Sequence, residues 1–277
     1  MGEIMYININ NFEKSNSELY DIVIIQKNVD GGATSIEEID RIKDYPNAKS
    51  IIISGLDQKK FDYFIKTYGR QFEAISFYKN KKVTNLSILS ELENIKFINF
   101  FFNQKVINLW NMEKNINLTG LSIHDFSKLH DINLIETAPS LEYFALGNMI
   151  HTTMEIETFR PITKSTITHF SWYGNKVLDN DYICLSRSKI NELDMNISKF
   201  TMEELVQIVS SFSNLKGTIT NPYREISVVE KNIKTKYYYL CKGRKCLIKG
   251  KDDEKLKQYL DEYYKKLKKA ITNKTQT

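Results

Sequence analysis

Cysteine is scarce in this chain. Three residues among 277 are too few, and an odd number, for a disulfide scaffold, so a reduced, intracellular setting is expected. Proline (4) and glycine (11) are scarce as well, which excludes collagen-like, mucin-like and linker-rich designs. Long apolar runs are missing. Ile22-Val23-Ile24-Ile25 stops far short of the roughly 20 residues a membrane span needs. The N-terminus, Met1-Gly2-Glu3-Ile4-Met5-Tyr6-Ile7, lacks a basic stretch followed by a long apolar core, so no secretory signal is expected. These absences predict a cytoplasmic protein. A hydrophobic fraction of 42% and a charged fraction of 26% are ordinary globular values and exclude a wholly disordered chain. Richness in Lys, Asn and Ile points to an AT-rich genome and a bacterial source.

Charge is unevenly spread. From Lys231 onward there are fifteen Lys/Arg against five Asp/Glu, a balance of +10, while the whole chain carries +5. Residues 1–230 are therefore net acidic, and the basic character belongs to the tail.

What is present is a repeat. Apolar residues recur at positions n, n+3 and n+5: Leu19/Ile22/Ile24, Ala48/Ile51/Ile53, Phe72/Ile75/Phe77, Ile95/Ile98/Phe100, Leu118/Leu121/Ile123, Leu141/Phe144/Leu146, Ile167/Phe170/Trp172 and Ile190/Leu193/Met195. Successive starts are 29, 24, 23, 23, 23, 26 and 23 residues apart. A weak ninth copy starts at Leu215, with Thr218 and Thr220 in the apolar slots. Such periodicity is the mark of stacked units that cannot bury an apolar face alone. A βα fold with a full helix after each strand fits poorly, because the middle repeats lack long helical patterns.

Triplet and period resemble the leucine-rich repeat family, whose pattern L-x-x-L-x-L-x-x-N is matched in full by Phe72 through Asn80, Ile95 through Asn103 and Ile167 through Asn175. Leu56, Phe126, Met149 and Ser198 replace the Asn elsewhere, which implies less regular turns there. The resemblance covers residues 19–220. It implies an α/β solenoid: a curved parallel β-sheet on the concave face, with short helices and 3₁₀ turns on the convex face. After the strands, apolar residues continue at a three-residue step, as in Val83, Leu86, Leu89, Leu92 and in Val106, Leu109, Met112, which suits 3₁₀ turns. True helices are expected where capping signals stand: Ser35 with Glu38, Asp57 before Phe61, Phe64 and Ile65 with Gly69 as the stop, and Thr201 with Glu204. A solenoid exposes its core at both ends and needs caps. Residues 1–18, with Met5, Ile7 and Ile9 alternating, are expected to supply one. Residues 221–277 are expected to supply the other, as a hairpin of Tyr237–Cys241 with Cys246–Ile248 followed by a Lys-rich helix bearing Leu256, Leu260, Tyr263 and Leu267 on one face.

Repeat register places n+2, n+4 and n+6 on the concave face. Its middle is then rich in aromatics and histidine: Tyr78, Phe97, Phe101, His124, Tyr143, His169 and Tyr173. Its last full repeat turns acidic with Glu192 and Asp194. Small neighbours such as Ser122 and Gly147 are expected to leave pockets between the rings. Aromatics suit strands anywhere, but a large exposed apolar face is also the composition of a protein interface. These nine residues are the candidate partner-binding set.

Catalytic patterns are thin. His124-Asp125 and His130-Asp131 are sequence neighbours that ordinarily face apart, and no metalloprotease helix, P-loop or dinucleotide fingerprint is present. His124 and His169 stand two repeats apart, too far for one metal at a strand spacing of about 4.8 Å. Cys241 and Cys246 make one pair without the second that a zinc site needs, and are expected as packed thiols. No catalytic residue, metal or cofactor is assigned. The expected function is a non-enzymatic protein-interaction module, in a role such as an adaptor or a partner that neutralises a toxin or effector. The alternative is nucleic-acid association through Lys242, Arg244, Lys245, Lys249 and Lys251, close to three tyrosines.

Overall fold

A computed structural model describes residues 20–26, 33–150, 153–230 and 233–275. The chain divides into two compact units, Met1–Ile167 with Tyr173–Asp181, and Thr168–Trp172 with Tyr182–Thr277. Among the described residues the strands are β1 (Ile22–Ile24), β2 (Ser50–Ser54), β3 (Ala74–Tyr78), β4 (Phe97–Asn103), β5 (Gly120–Phe126), β6 (Tyr143–Gly147), β7 (Glu155–Ile156), β8 (His169–Tyr173), β9 (Lys176–Val177), β10 (Glu192–Met195), β11 (Arg224–Glu230), β12 (Ile233–Tyr239) and β13 (Leu247–Ile248). The α-helices are α1 (Ile36–Asp40), α2 (Gln58–Tyr68), α3 (Met202–Ser211) and α4 (Asp253–Thr275).

In the first unit β1 through β6 pair in chain order, all parallel, and the repeat register is the pairing register. Ile22, Ile51, Ile75, Ile98, Leu121 and Phe144 face one another down one row, and Ile24, Ile53, Phe77, Phe100, Ile123 and Leu146 down a second. From β2 to β6 both rows are buried, as are the leading residues Phe72, Ile95, Leu118 and Leu141. Strand periodicity of two puts n+3 and n+5 on the same side; the n residue joins them just before the strand begins. The predicted three-residue step holds: Val83, Leu86, Leu89 and Leu92 are buried around a 3₁₀ turn at Ser87–Glu91, and further 3₁₀ turns follow at Asn133–Thr137 and Arg160–Lys164. Parallel strands, one per repeat, returned by 3₁₀ turns or short helices, make this a leucine-rich-repeat solenoid in fold class.

Local signals act as their chemistry dictates. Ser35 and Glu38 form a reciprocal capping box on α1, and Thr201 and Glu204 do so on α3. Asp57 caps α2 by accepting from the Lys60 amide at 3.0 Å. Gly69 does not stop the chain in a left-handed turn; its φ is −56° and it leads into a 3₁₀ turn. It is small because a Cβ there would lie 2.6 Å from Leu92 Cδ2. A feature absent from the repeat pattern is a row of left-handed residues at n+7: Gly55, Lys79, Phe102 and Asp125 have φ between 53° and 70°. Each turns the chain so that the next residue, at the Asn slot, points back inside. Asn80 there accepts from the Leu56 amide and donates to the Ile53 carbonyl. Asn103 donates to the carbonyls of Asn80 and Val83 and accepts from the amides of Lys105 and Val106. Leu56 and Phe126 fill the same slot by apolar burial. Asn175 matches the motif but is exposed, and donates to Glu155 instead.

The second unit carries β8 and β10 in the same parallel register, Phe170 opposite Leu193 and Trp172 opposite Met195. The ninth copy is reduced to one bridge, Glu192 with Lys216, and a 3₁₀ turn at Thr218–Thr220. The predicted hairpin forms, with Tyr237 opposite Ile248 and Tyr238 opposite Leu247, but it belongs to a three-stranded antiparallel sheet whose first strand, β11, gave no signal in the sequence. Helix α4 buries Leu256, Tyr259 and Tyr263, leaves Leu260 and Leu267 half-buried, and packs on α3. Lys266 pairs with Glu203, and Lys274 Nζ donates to the Ser211 carbonyl at 2.6 Å. The predicted cap at 1–18 and the first triplet's Leu19 lie outside the described residues.

Two outcomes are expected. Leu121→Ala, which empties a fully packed position of β5, should cost about 2–5 kcal/mol in denaturant unfolding. Removing residues 251–277 should uncover the apolar side of α3 and produce aggregation, read by light scattering; a soluble truncation with an unchanged melt would show that α4 is not needed for folding.

Candidate functional site

The outward face of the first unit's sheet is defined by side chains between the two core rows. Here strand spacing, near 4.8 Å, brings equivalent side chains of neighbouring strands into contact. Tyr78 and Phe101 stack with ring centroids 5.3 Å apart and planes 18° from parallel. The Lys79 ammonium lies 5.0 Å from the Tyr78 ring centre, and that of Lys81 lies 5.1 Å from the Phe102 ring centre. Such placement is favourable because the ring face carries negative potential. Phe97 lies over Gly120, where a Cβ would meet its ring at 2.6 Å, and Tyr143 stands in register on the far side of Gly120. Tyr78, Phe97 and Tyr143 are half-buried, as is Tyr173 at the end of β8.

Two of the candidates sit deeper than expected. Phe101 is 4% exposed and His124 only 2%. Phe101 is covered along its face by Tyr78, so it contributes to folding rather than standing free. The pocket expected at Gly147 does not form. Its φ is +154°, and a Cβ would fall 2.5 Å from the Tyr173 backbone, so glycine is required for that close approach. The middle of the face is sealed too: Ile52, Ser76 and Asn99 are buried, with Asn99 Nδ2 donating to Ser76 Oγ at 2.9 Å.

His124 is the most perturbed group of this face. Its Nε2 is 2.6 Å from Ser122 Oγ, while its Nδ1 is buried without a hydrogen-bond partner. Loss of solvation brings its pKa down to about 4, against a smaller upward pull from Asp125, so the imidazole is neutral near pH 7. Asp125 itself turns to the next loop, its carboxylate accepting from the amides of Met149 and Ile150. The second adjacent pair is equally divided: His130 meets the Glu155 carbonyl at 2.7 Å and Asp131 accepts from the Asn133 amide. Neither pair forms an acid–base couple. Among the described residues no group of three His, Cys, Asp or Glu is placed to hold a metal ion.

In the second unit His169, Glu192 and Asp194 are brought together by the β8–β10 register. His169 Nδ1 is 2.9 Å from Thr168 Oγ1, and its Nε2 is 3.3 Å from a Glu192 carboxylate oxygen. Asp194 accepts from the Thr218 amide at 2.8 Å, which anchors the chain after the last repeat. The basic segment is partly neutralised: Arg244 forms a two-pronged pair with Glu262, and Lys249 pairs with Glu225 at 2.6 Å, whereas Lys242, Lys245 and Lys251 are exposed. Of the three tyrosines, Tyr238 is buried, Tyr237 half-buried and Tyr239 39% exposed. Cys241 is buried as expected, but Cys246 is exposed rather than packed, and both are free thiols.

The pattern of n+2, n+4 and n+6 passed over Lys79, Lys81 and Phe102. Phe102 belongs to the left-handed row at n+7, and its signal was the uninterrupted run Phe100-Phe101-Phe102, which an alternating strand does not accommodate.

No family model matches this chain, and no curated protein matches it. Among solved structures, an internalin from Listeria monocytogenes is similar over 67% of this chain and 57% of its own length, at 16% identity and a TM-score of 0.40. Among the described residues no helix is long and apolar enough to cross a membrane.

The neutral histidine predicts an acid response. Its folded-state pKa of about 4 lies below the ordinary value of 6.5, so the unfolded chain takes up its proton first as pH falls. The stability tied to the neutral form is whole above pH 6.5 and is lost on acidification toward pH 4, on the order of 3 kcal/mol in total. His124→Gln should flatten the unfolding free energy across that window relative to the parent chain. Parallel pH profiles for the two proteins would contradict the burial argument.

Proposed function

We propose that this chain is a protein-interaction module whose main contact face is the outward side of the first unit's sheet. Tyr78, Phe97 and Tyr143 supply partly exposed rings, Phe101 and His124 lie buried among the side chains of that face, and Tyr173, on β8, is a separate half-buried ring. Glu192 and Asp194, beside His169, offer a separate acidic contact for a basic group of the partner. The observation that carries the reading is the Tyr78–Phe101 stack with lysines set over neighbouring rings. Rings held in this way lose little rotamer freedom on binding, and covering them with a partner removes apolar surface from water. The lysine rim favours a partner carrying carboxylates beside an apolar patch. A role as adaptor or as neutralising partner of a toxin or effector is the finer reading.

Capture from the native source, followed by affinity measurement, tests this. Phe97→Ala with Tyr143→Ala should weaken binding by about 2–4 kcal/mol while shifting the melting temperature less than Phe101→Ala does. Phe101→Ala should instead cost about 3–5 kcal/mol of folding stability. Unchanged affinity of the double variant with an intact fold would remove this face from the function. Binding that collapses steeply with salt and survives the double variant would move the site to residues 242–251 and to nucleic acid.

A further inference from the structure

Strand β11 is the outer strand of the three-stranded sheet. It pairs with β12 on one side, and among the described residues no strand pairs with its other side. Its register with β12 runs unbroken from Arg224 opposite Tyr239 to Glu230 opposite Ile233. It contains no proline, lysine or bulge, and its charges are Arg224 and Glu225 at one end and Glu230 at the other, which leaves the middle of the strand uncharged. Arg224, Glu225, Ser227 and Val229 are exposed, Val229 at 65%. The edge is thus long, regular and open.

It is also self-complementary. Set two copies of β11 antiparallel about Ser227, with a two-fold axis perpendicular to the sheet. Opposite residues then share a face. Arg224 of one copy stands opposite Glu230 of the other, at both ends of the strand. Ile226 stands opposite Val228, on the face where Ile226 already neighbours Tyr237 and Val228 neighbours Thr235. Glu225 stands opposite Val229, and its charge is already met within its own chain by Lys236 at 3.1 Å and Lys249 at 2.6 Å. The neighbouring symmetric registers fit worse. An axis at Ile226 sets Arg224 against Val228, and an axis at Val228 sets Ile226 against Glu230; both shorten the ladder.

We propose that β11 is a self-association edge, on which a second copy of this chain adds its own β11 antiparallel about Ser227. The result is one continuous six-stranded sheet from two three-stranded ones. Main-chain hydrogen bonds supply the attraction, and the opposed charges and the Ile226/Val228 rows select the register. A single added strand buries less than a standard interface, so the association is weak and concentration-dependent. It rests on observations separate from the aromatic face and stands or falls independently of it.

Disulfide trapping reads the register directly. Residues facing across the axis have Cα atoms about 4.5–5.5 Å apart, within disulfide reach. In a Cys246→Ser background, Ser227→Cys should give a covalent dimer on mild oxidation, whereas Glu225→Cys, off the axis, should give little. Charge exchange supplies the second arm, by sedimentation equilibrium with a thermal melt as folding control. Arg224→Glu and Glu230→Arg should each weaken self-association about tenfold, because like charges then oppose at both ends. An equal mixture of the two variants should restore it, since each hetero-pair regains both attractions. A parent chain that stays monomeric at the highest attainable concentration overturns the proposal. So does equal trapping at 225 and 227, or a mixture no tighter than its components. Protection of β11 by a captured foreign segment, without self-association, would assign the edge to another protein and equally overturn it.

Discussion

Each repeat of this chain makes one strand with a buried side that it cannot cover by itself. A strand of five residues presents two inward side chains, and a lone strand leaves both in water. The neighbouring strand covers them only if its own inward residues fall at the same height, which requires the apolar triplet to recur in register. Everything else follows from that requirement. The spacing of 23 residues is the length of a strand, a turn, a return segment and a second turn, and the three-residue step of the return lets short 3₁₀ turns close the layer. A longer spacing occurs where the return segment holds a true helix, as α2 does between Ala48 and Phe72. Burial of Leu121 is therefore a property of β4, β5 and β6 together.

The turn after each strand shows how a second constraint is met by more than one chemistry. The left-handed residue at n+7 leaves nearby amides and carbonyls facing inward, where an unpaired group is costly. Asn80 and Asn103 satisfy them with side-chain amides that both donate and accept. At Leu56 the slot is apolar, and the same work falls to Asn80 of the following repeat, which accepts from the Leu56 amide. Left-handed geometry is inexpensive for Gly55 and costs more for Phe102, a bulky residue at φ 62°. At Phe102 the cost is offset by position: the ring leans toward Phe101, with centroids 6.3 Å apart, and takes the Lys81 ammonium over it.

The core was legible in the sequence because burial follows from period alone. Any residue at n+3 or n+5 has neighbours above and below it of the same kind, so its environment is set by the repeat. Helix starts were legible for a similar reason, since Ser35/Glu38 and Thr201/Glu204 act within four residues. The outward face was legible only in part. Direction is given by alternation, but exposure depends on the size of the side chains in the adjacent strands. Phe101 and Tyr173 share position n+6, yet Phe101 is buried under Tyr78 while Tyr173 is half-exposed. Gly147 reads in the sequence as empty space, but the Tyr173 backbone fills the place of its missing side chain. Strand β11 went unseen because Arg-Glu-Ile-Ser-Val-Val-Glu alternates weakly and buries little; it is a strand by virtue of pairing with β12, a tertiary cause.

That dependence of exposure on neighbours bears on how such a face evolves and binds. A residue such as Phe101, buried against Tyr78, cannot be altered without loss of packing, and the Phe97 ring in turn requires a glycine at 120 beside it. The same coupling limits motion. A ring held at 5.3 Å against its neighbour and flanked by a lysine has few alternative rotamers. The lysines act at two ranges. Their charge reaches into solvent and is screened by salt, while the ammonium groups themselves lie over ring faces whose negative potential holds them. The face is therefore ordered by depth: Phe101 is buried, Tyr78, Phe97 and Tyr143 are half-buried around it, and the Lys79 and Lys81 ammonium groups lie over the rings of Tyr78 and Phe102.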